Sequence, residues 1–332
     1  MLTVSPSPHV HVELSTPKVM QGVIVAMLPL LIFSVINFGL GAIYVTTLSV
    51  IFCVAVEWAV VKFLIKSPST LFDGSAVVTG MLLAFNVPSN LPWYILLIGS
   101  IVAMGIGKWT YGGLGNNLFN PALVGRVFLL LSFPVEMTSW PVPTPSWTLD
   151  AVSGATPLAV LKDGLRAGQN IPGLMGDLPG LDDLFFGFTG GSLGETSAIA
   201  ILLGFLYLLY KKIITWHTPV AMLGSIFVFS AIFWQVDGLH FPNPVFQLLS
   251  GGIMLGAVFM ATDYVTSPVS HRGMILYGCG IGIITVLIRL FGNYPEGVSF
   301  AILIMNAFVP LINRYVKPSR FGKKKKRRSE KV

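Results

Sequence analysis

Long apolar segments make up most of the chain, and their number and length constrain the fold more than any other feature. A helix that crosses a membrane needs about 20 apolar residues. Of the 332 residues, 54% are hydrophobic and only 11% are charged, against about one quarter in soluble domains. We therefore predict an all-α, multi-pass membrane protein with about ten transmembrane helices. The apolar segments are 19–37, 41–61, 74–87, 93–107, 118–133, 197–211, 218–236, 246–262, 273–291 and 298–315.

Three of these segments, 74–87, 93–107 and 118–133, are shorter than a spanning helix. Gly, Pro and Asn are frequent at their ends. This pattern predicts half-helices or broken helices, which occur where protein or water satisfies the free backbone groups.

The two halves of the chain show a weak internal repeat. An offset of 177 residues pairs Gly74 with Gly251 and Asn86 with Asp263. Five segments in each half imply two inverted five-helix repeats, which place sites near the membrane midplane. The predicted domains are a cytoplasmic tail (1–18), a first repeat (19–133), an extracytoplasmic loop (134–195), a second repeat (196–315) and a basic cytoplasmic tail (316–332).

The positions of the basic residues predict the orientation. With ten spans and an internal N-terminus, all but four Lys and Arg lie on the cytoplasmic side, as the positive-inside rule requires. The exceptions are Lys162, Arg166 and Arg289 outside and Arg126 within a span. Lys108 is assigned to a cytoplasmic loop.

The termini and the cysteines narrow the class of protein. Residues 1–18 lack the apolar core of a cleavable signal peptide. The run KKKKRR at 323–328 follows a span, so contact with anionic membrane lipid is favoured over nucleic acid. Cys53 and Cys279 lie in apolar runs without CxxC spacing, so no metal or iron–sulfur site is predicted.

The loop at 134–195 is too long for a simple connection and is typical of a functional element. It is rich in aromatic residues, which argues against disorder and predicts a small external cap or a surface resting at the membrane interface. These aromatic residues are Trp140, Trp147, Phe185, Phe186 and Phe188.

The loop contains the stretch 150-DAVSGATPLAV-160, which permits two interpretations. Thr156 followed by Pro157 is typical of a helix N-cap and first helical position, with a short helix over 157–165. Alternatively, the small neighbours of Thr156 let another molecule approach its hydroxyl. The loop places no His, Lys or Cys to activate that hydroxyl, so modification by another enzyme is favoured over nucleophilic catalysis.

Asp150, Ser153, Gly154, Ala155 and Thr156 match the flavinylation signature D-x-x-[ST]-G-A-[ST]. The chain thereby resembles the family that contains RnfD of the Rnf electron transport complex and NqrB of the sodium-pumping NADH:quinone reductase. In that family a flavin transferase attaches the FMN part of FAD to the Thr hydroxyl through a phosphodiester.

The resemblance extends over about 7–316, including the Gly-rich N-P-A-L segment at 105–130, and the opening SPSPHV resembles the Rnf members. It implies ten spans in two inverted halves and covalent FMN on Thr156. It also implies partner subunits with iron–sulfur clusters and flavins, coupling to Na⁺ or H⁺ movement, and a bacterial or archaeal cytoplasmic membrane.

The resemblance further implies a second, non-covalent flavin, which is riboflavin in the quinone reductase. The candidates to line its site are Gly112, Gly113, Asn116 and Asn120. Gly permits close backbone approach, and Asn can pair with ring nitrogen and oxygen atoms. The same residues are equally typical of a helix end followed by Pro121.

Four charged residues are candidates for an ion path. Glu57 and Arg126 lie within spans, where charges default to functional roles, and we expect them to pair with each other or to flank a cofactor. Asp73 and Asp263 lie at broken-helix ends. Hydroxyl residues beside Asp263 provide oxygen ligands that a small hard cation prefers, although helix capping explains the same pattern.

Three functions fit the sequence. The first is a redox subunit of an Rnf-type complex, or its counterpart in the quinone reductase. The second is an ion channel or secondary transporter, because inverted repeats with broken helices are typical of transporters. The third is a scaffold subunit with an unmodified loop. A complete flavin acceptor motif favours the first.

Overall fold

The computed structural model describes residues 15–66, 71–143, 153–174, 176, 178–195 and 197–317. Asp150, Trp147 and the basic run at 323–328 lie outside these residues.

Helices account for most of the described chain. They are α1 (Thr16–Phe38), α2 (Leu40–Ile65), α3 (Ser75–Phe85), α4 (Trp93–Tyr111), α5 (Pro121–Ser132), α6 (Pro134–Thr138), α7 (Pro157–Arg166), α8 (Ile171–Leu174), α9 (Leu181–Phe186), α10 (Ala198–Tyr210), α11 (His217–Val236), α12 (Pro244–Leu249), α13 (Ile253–Leu255, continued by a π-helical turn over Gly256–Met260), α14 (His271–Phe291) and α15 (Val298–Tyr315). Two short strands, β1 (Trp140–Pro141) and β2 (Ser153–Gly154), pair antiparallel.

Six of the described helices, α1, α2, α4, α11, α14 and α15, are long and apolar enough to cross a membrane. This confirms the prediction of an all-helical, multi-pass membrane protein. Each of the ten apolar segments contains helix, and α3, α5 and α10 are shorter apolar helices. The expectation that 93–107 is a short segment is wrong, because α4 continues to Tyr111 through a π-helical stretch.

Glycines set the start of two interrupted helices. Gly74 precedes α3 with φ +80°, and Gly251 lies between α12 and α13 with φ +67°. Gly adopts this left-handed conformation without the steric cost that a Cβ brings. These are the two glycines that the 177-residue offset pairs.

The helices pack closely around one large apolar core. α1 packs against α10, α2 against α3 and α4, and α11 against α14. In the last pair, a Cβ at Gly278 would lie 2.7 Å from the Thr218 carbonyl oxygen, so only Gly permits this approach.

The described residues between 153 and 195 form a small cap that shares an apolar cluster with α12. Four leucines of the cap and one phenylalanine of α12 make this cluster: Leu158, Leu161, Leu174, Leu184 and Phe246. Among the predicted aromatic residues, Trp140 is buried but the three phenylalanines of the loop are exposed. A cap is therefore present, but its apolar cluster is built from leucines on α7, α8 and α9 together with Phe246 of α12 and not from the loop phenylalanines.

Candidate functional site

Thr156 is the N-cap of α7. Its Oγ1 accepts a 3.2 Å hydrogen bond from the Ala159 backbone N–H, and Pro157 takes the first helical position. The predicted cap is thus confirmed. The Thr156 side chain is buried, while Ala155 beside it is exposed.

Thr156 lines a small cavity at the start of α7. Gly190, Gly191, Glu195 and Glu296 line the same cavity. The free N–H groups and the dipole of α7 give this side of the cavity a positive potential, which favours phosphate or another anion.

Arg126 is the centre of a buried polar cluster next to this cavity. Its Nη2 lies 3.4 Å from Glu195 Oε1 and forms a closer ion pair with Glu296 Oε2. Its Nη1 donates 2.8 Å hydrogen bonds to Asn86 Oδ1 and Ser299 Oγ. The cluster joins α3, α5 and the residues that precede α10 and α15.

Glu57 pairs with a different cation, so the expected contact between Glu57 and Arg126 is wrong. Lys108 Nζ lies 2.6 Å from Glu57 Oε1, and both side chains are buried. Lys108 also donates to Ser75 Oγ at 2.7 Å, and Ser75 Oγ donates to Asp73 Oδ1 at 2.6 Å. Lys108 is the last residue of the π-helical stretch of α4 and is buried, so it is not a loop residue; its position on the cytoplasmic side stays a prediction.

The two glutamates beside Arg126 differ in proton affinity. Burial, followed by the charge of Glu296, raises the pKa of Glu195 to about 8. Burial alone would raise the pKa of Glu296 as well. That pKa is instead held below its usual range, mainly by the charge of Arg126, then by the hydrogen bond from Glu195 and the charge of Arg289. Of the two, Glu195 therefore holds a proton more readily and Glu296 ionises more readily.

Sequence reasoning missed both glutamates as site residues. Glu195 lies at the end of the predicted loop and Glu296 between the last two apolar segments. Each precedes an apolar helix by two or three residues, and an acidic residue in that position before α10 and again before α15 was the available signal.

A second and larger cavity, of about 80 Å³, lies between α1, α3, α5 and the end of α13. Its polar lining includes Lys108, Asn117, Asn120 and Asp263. Asn117 is buried, and its Oδ1 has no hydrogen-bond partner among the described residues. A buried amide oxygen without a partner is costly, which favours a polar occupant in this cavity.

The four residues predicted for a second flavin are only partly brought together. Asn120 lines the larger cavity, caps α5 by accepting from the Ala122 N–H at 3.1 Å, and donates to the Met260 carbonyl at 3.3 Å. Gly112 and Asn116 are exposed in the preceding turn. Gly113 is buried, and like Gly112 it has a positive φ. None of these three lines the cavity.

Asp263 makes the contacts expected of a capping residue. Its Oδ2 accepts a 3.1 Å hydrogen bond from Thr266 Oγ1, and its backbone carbonyl accepts from the Ser267 N–H. Thr262 Oγ1 donates instead to the Val258 carbonyl at 2.5 Å. Within the described ranges, no three His, Cys, Asp or Glu side chains lie close enough to hold a metal ion.

Polar groups link the two cavities through the middle of the bundle. Asn86 accepts from Arg126, and its Nδ2 lies 3.9 Å from Met260 Sδ. Asn120 contacts the carbonyl of the same methionine from the other side. A line of polar contacts therefore runs from the Thr156 cavity to the larger one.

The fold defines a multi-pass membrane protein with polar sites inside its bundle. Some helices are able to cross a membrane, others are interrupted, and charged side chains are buried among them. Comparison with known proteins identifies the family within this class. The chain belongs to the NQR2, RnfD, RnfE family, whose model matches residues 3–322. The resemblance drawn from the flavinylation motif is confirmed at the level of the family.

Three relatives match over nearly the whole chain, and each is the subunit designated D in its complex. The one from the Na⁺-translocating ferredoxin:NAD⁺ oxidoreductase complex of Acetobacterium woodii is 48% identical over 324 residues, with 97% of this chain and 95% of the relative covered. Its counterpart in the proton-translocating ferredoxin:NAD⁺ oxidoreductase complex of Clostridium ljungdahlii is 44% identical, with 97% and 96% covered. The relative from the ion-translocating oxidoreductase complex of Stutzerimonas stutzeri is 41% identical, with 93% of each covered.

Proposed function

We propose that this chain is the RnfD-type membrane subunit of an Rnf electron transport complex and carries FMN covalently on Thr156. The observation that carries the proposal is the position of Thr156, which lies at the N-terminus of α7 and lines a cavity. The names of the relatives support a role in an ion-translocating oxidoreductase complex. Partner subunits with iron–sulfur clusters and flavins, and a flavin transferase for maturation, belong to this proposal.

The residues around Thr156 fit the attached end of FMN. A phosphodiester at this position lies at the positive end of α7, where anions are stabilised. The cap does not use the hydroxyl proton, because Oγ1 accepts from Ala159. An ester oxygen can accept the same hydrogen bond, so attachment need not disrupt the helix start. When bound, the flavin supplies reversible electron transfer.

The proposed topology has ten spans in two inverted repeats, with the predicted domain boundaries. Adding α3, α5, α10 and the interrupted pair α12–α13 to the six long helices gives ten. The left-handed conformation shared by Gly74 and Gly251 supports the repeat. In this orientation both termini are cytoplasmic in a bacterial or archaeal membrane, and Thr156 lies on the extracytoplasmic side.

The larger cavity is the proposed site of a second, non-covalent flavin such as riboflavin. Asn120 remains the candidate from the sequence, and Asn117 and Lys108 join it because they line the same cavity. Electrons would then pass between the two sites, which the polar contacts through Asn86 and Met260 connect.

The ion path is proposed along the residues predicted for it. Asp73 and Glu57 meet through Ser75 and Lys108, and Asp263 lines the larger cavity. The names of the relatives include both Na⁺ and proton translocation, so the coupling ion is one of these two. Loss of ion transport in Asp263→Asn, with electron transfer retained, would support an ion ligand there, and normal transport would exclude one.

An ion channel or secondary transporter is the second candidate. The interrupted helices and the larger cavity favour it, because transporters bind ions at such breaks. A channel or a scaffold subunit has no need of a flavin, so flavin content separates these functions from the first.

The deciding experiment is in-gel flavin fluorescence after full denaturation, with the chain co-expressed with a flavin transferase. Wild type is expected to fluoresce and Thr156→Ala to be dark. Thr156→Asn is the matched control, because Asn caps a helix as well as Thr does but offers no hydroxyl, so it is also expected to be dark. A dark wild-type band beside a fluorescent substrate of the same transferase would reject the covalent flavin.

A further inference from the structure

We propose that Glu195 and Glu296 form a proton-binding site that shares one proton under the Thr156 cavity and exchanges it as the charge in that cavity changes. Nothing in the family assignment or in the names of the relatives assigns a role to this pair. The proton site follows from the geometry of two carboxyl groups and one arginine.

The two carboxyl groups lie close together because both contact the same nitrogen, Arg126 Nη2, at 3.4 Å from Glu195 Oε1 and closer from Glu296 Oε2. The Glu195 side chain is buried, with a relative exposure of 4%, and the Glu296 side chain is half-buried, at 13%. Two carboxylates this close cannot both ionise without strong repulsion, so such pairs hold a shared proton.

Arg126 decides which carboxyl group carries the charge. It contacts Glu296 more closely than Glu195, to which its Nη2 is 3.4 Å away. The arginine therefore stabilises the carboxylate of Glu296, and the proton stays on Glu195. The Glu195 carboxyl also packs against Gly252, where a Cβ would lie 2.8 Å from Oε1.

A further cation, Arg289 on α14, lies near the pair. It is buried and donates to the carbonyls of Gln247 and Ser250, so its charge acts on the glutamates through space. Lys162 on α7 donates to the carbonyls of Arg289 and Tyr294, so it lies next to Arg289. Arg126 and Arg289 keep the proton exchangeable, because an isolated buried acid would hold it to far higher pH.

Both glutamates and Thr156 line the same cavity, so a charge added there acts on the pair directly. This part of the inference rests on the proposed flavin. One electron taken up by a group on Thr156 adds one negative charge and raises the proton affinity of Glu195. Around and above the pKa of Glu195, about 8, reduction of such a group would draw up to one proton from water onto Glu195, and reoxidation would release it.

The first test is an infrared pH titration of the full chain in lipid nanodiscs, from about pH 5 to about pH 10. It uses flavin-free protein made without the transferase. Wild type is expected to show a carboxylic acid C=O band, shifted by D₂O, that disappears as pH rises through about 8. Glu195→Gln is expected to lack this band, and the exposed Asp182→Asn to keep it.

Glu296→Gln gives an independent arm if Glu195→Gln does not fold. In this variant residue 296 carries no charge, so Glu195 is the carboxyl group left to balance the charge of Arg126. Glu195 is then expected to ionise, and the acid band to be lost, near neutral pH. A band that persists in Glu195→Gln, or a wild-type spectrum without a titrating acid band, would overturn the proton site.

The second test measures the midpoint potential of the bound flavin against pH. Above about pH 8, the midpoint potential of wild type is expected to fall more steeply with pH than that of Glu195→Gln. Equal slopes would overturn the coupling between electron and proton. If no flavin is covalently bound, the proposed function fails, while the infrared titration still decides whether the pair holds a proton.

Discussion

Lys108 lies 2.6 Å from Glu57 inside the helix bundle, with 2% and 0% of their side chains exposed. The pair joins α2 to α4 and lies at the larger cavity, which Lys108 lines. Removing one partner of a buried ion pair is far more costly than replacing both, because an uncompensated charge stays behind.

Lys108→Met is therefore expected to destabilise the protein by about 3–5 kcal/mol, measured by thermal unfolding in detergent. The double variant Lys108→Met with Glu57→Gln should recover much of this loss. Lys66→Met, at an exposed position, is the control and should change little. Equal stability of the single variant and wild type would show that the ion pair contributes nothing.

The cap of α7 can be separated from flavin attachment. Thr156→Ala is expected to destabilise the cap region by about 1 kcal/mol, because the Ala159 N–H loses its acceptor. Thr156→Asn should keep most of this stability. Hydrogen exchange of the α7 amides in flavin-free protein measures the difference, and identical protection in the two variants would contradict it.

Arg126→Gln leaves two buried carboxyl groups without their cation. At neutral pH we expect a loss of about 3–5 kcal/mol. The loss should shrink at about pH 5, where both carboxyl groups can stay protonated in the folded state. Thermal unfolding at the two pH values tests this, with the exposed Arg314→Gln as the control. A loss independent of pH would point to packing instead of charge.

The raised pKa of Glu195, about 8, makes the stability of wild type depend on pH. The ordinary pKa of Glu is about 4.3, so the folded state binds the proton more tightly than the unfolded state. The contribution of protonated Glu195 to the free energy of unfolding is fully present below about pH 4.3 and is lost as pH rises to about 8. Glu195→Gln should flatten this part of the stability curve, and an unchanged slope would assign it to another group.

Gly251 is expected to tolerate no side chain. Its φ is +67°, and a Cβ would lie 2.8 Å from both Arg289 Nη2 and Leu158 Cδ1. Gly251→Ala should cost about 1–3 kcal/mol from the backbone alone. Gly224→Ala on α11 is the control, because a Cβ there meets open space and Ala favours helix. Similar stability of the two variants would contradict the strain.

The cap of α7 and the start of α5 were predictable because their signals are local. Thr156 with Pro157, and Asn120 with Pro121, each place a side-chain acceptor directly before a proline that begins a helix. Neither prediction needs to know what packs against the helix. The family was predictable for the same reason, since its motif is a short continuous stretch.

The partners of the buried charges were not predictable in this way. Arg126 meets Glu195 and Glu296 from distant parts of the chain, and Glu57 meets Lys108 across 51 residues. The sequence marked Glu57 and Arg126 as costly in a membrane, but their most obvious pairing, with each other, is wrong.

The sequence by itself determined the membrane class, the order of the helices and the acceptor motif, because hydropathy and helix caps act over a few neighbouring residues. Only the tertiary structure decided that two glutamates and one arginine gather beside Thr156. The energy of a buried charge depends on which groups surround it, and those groups come together only when the helices have packed.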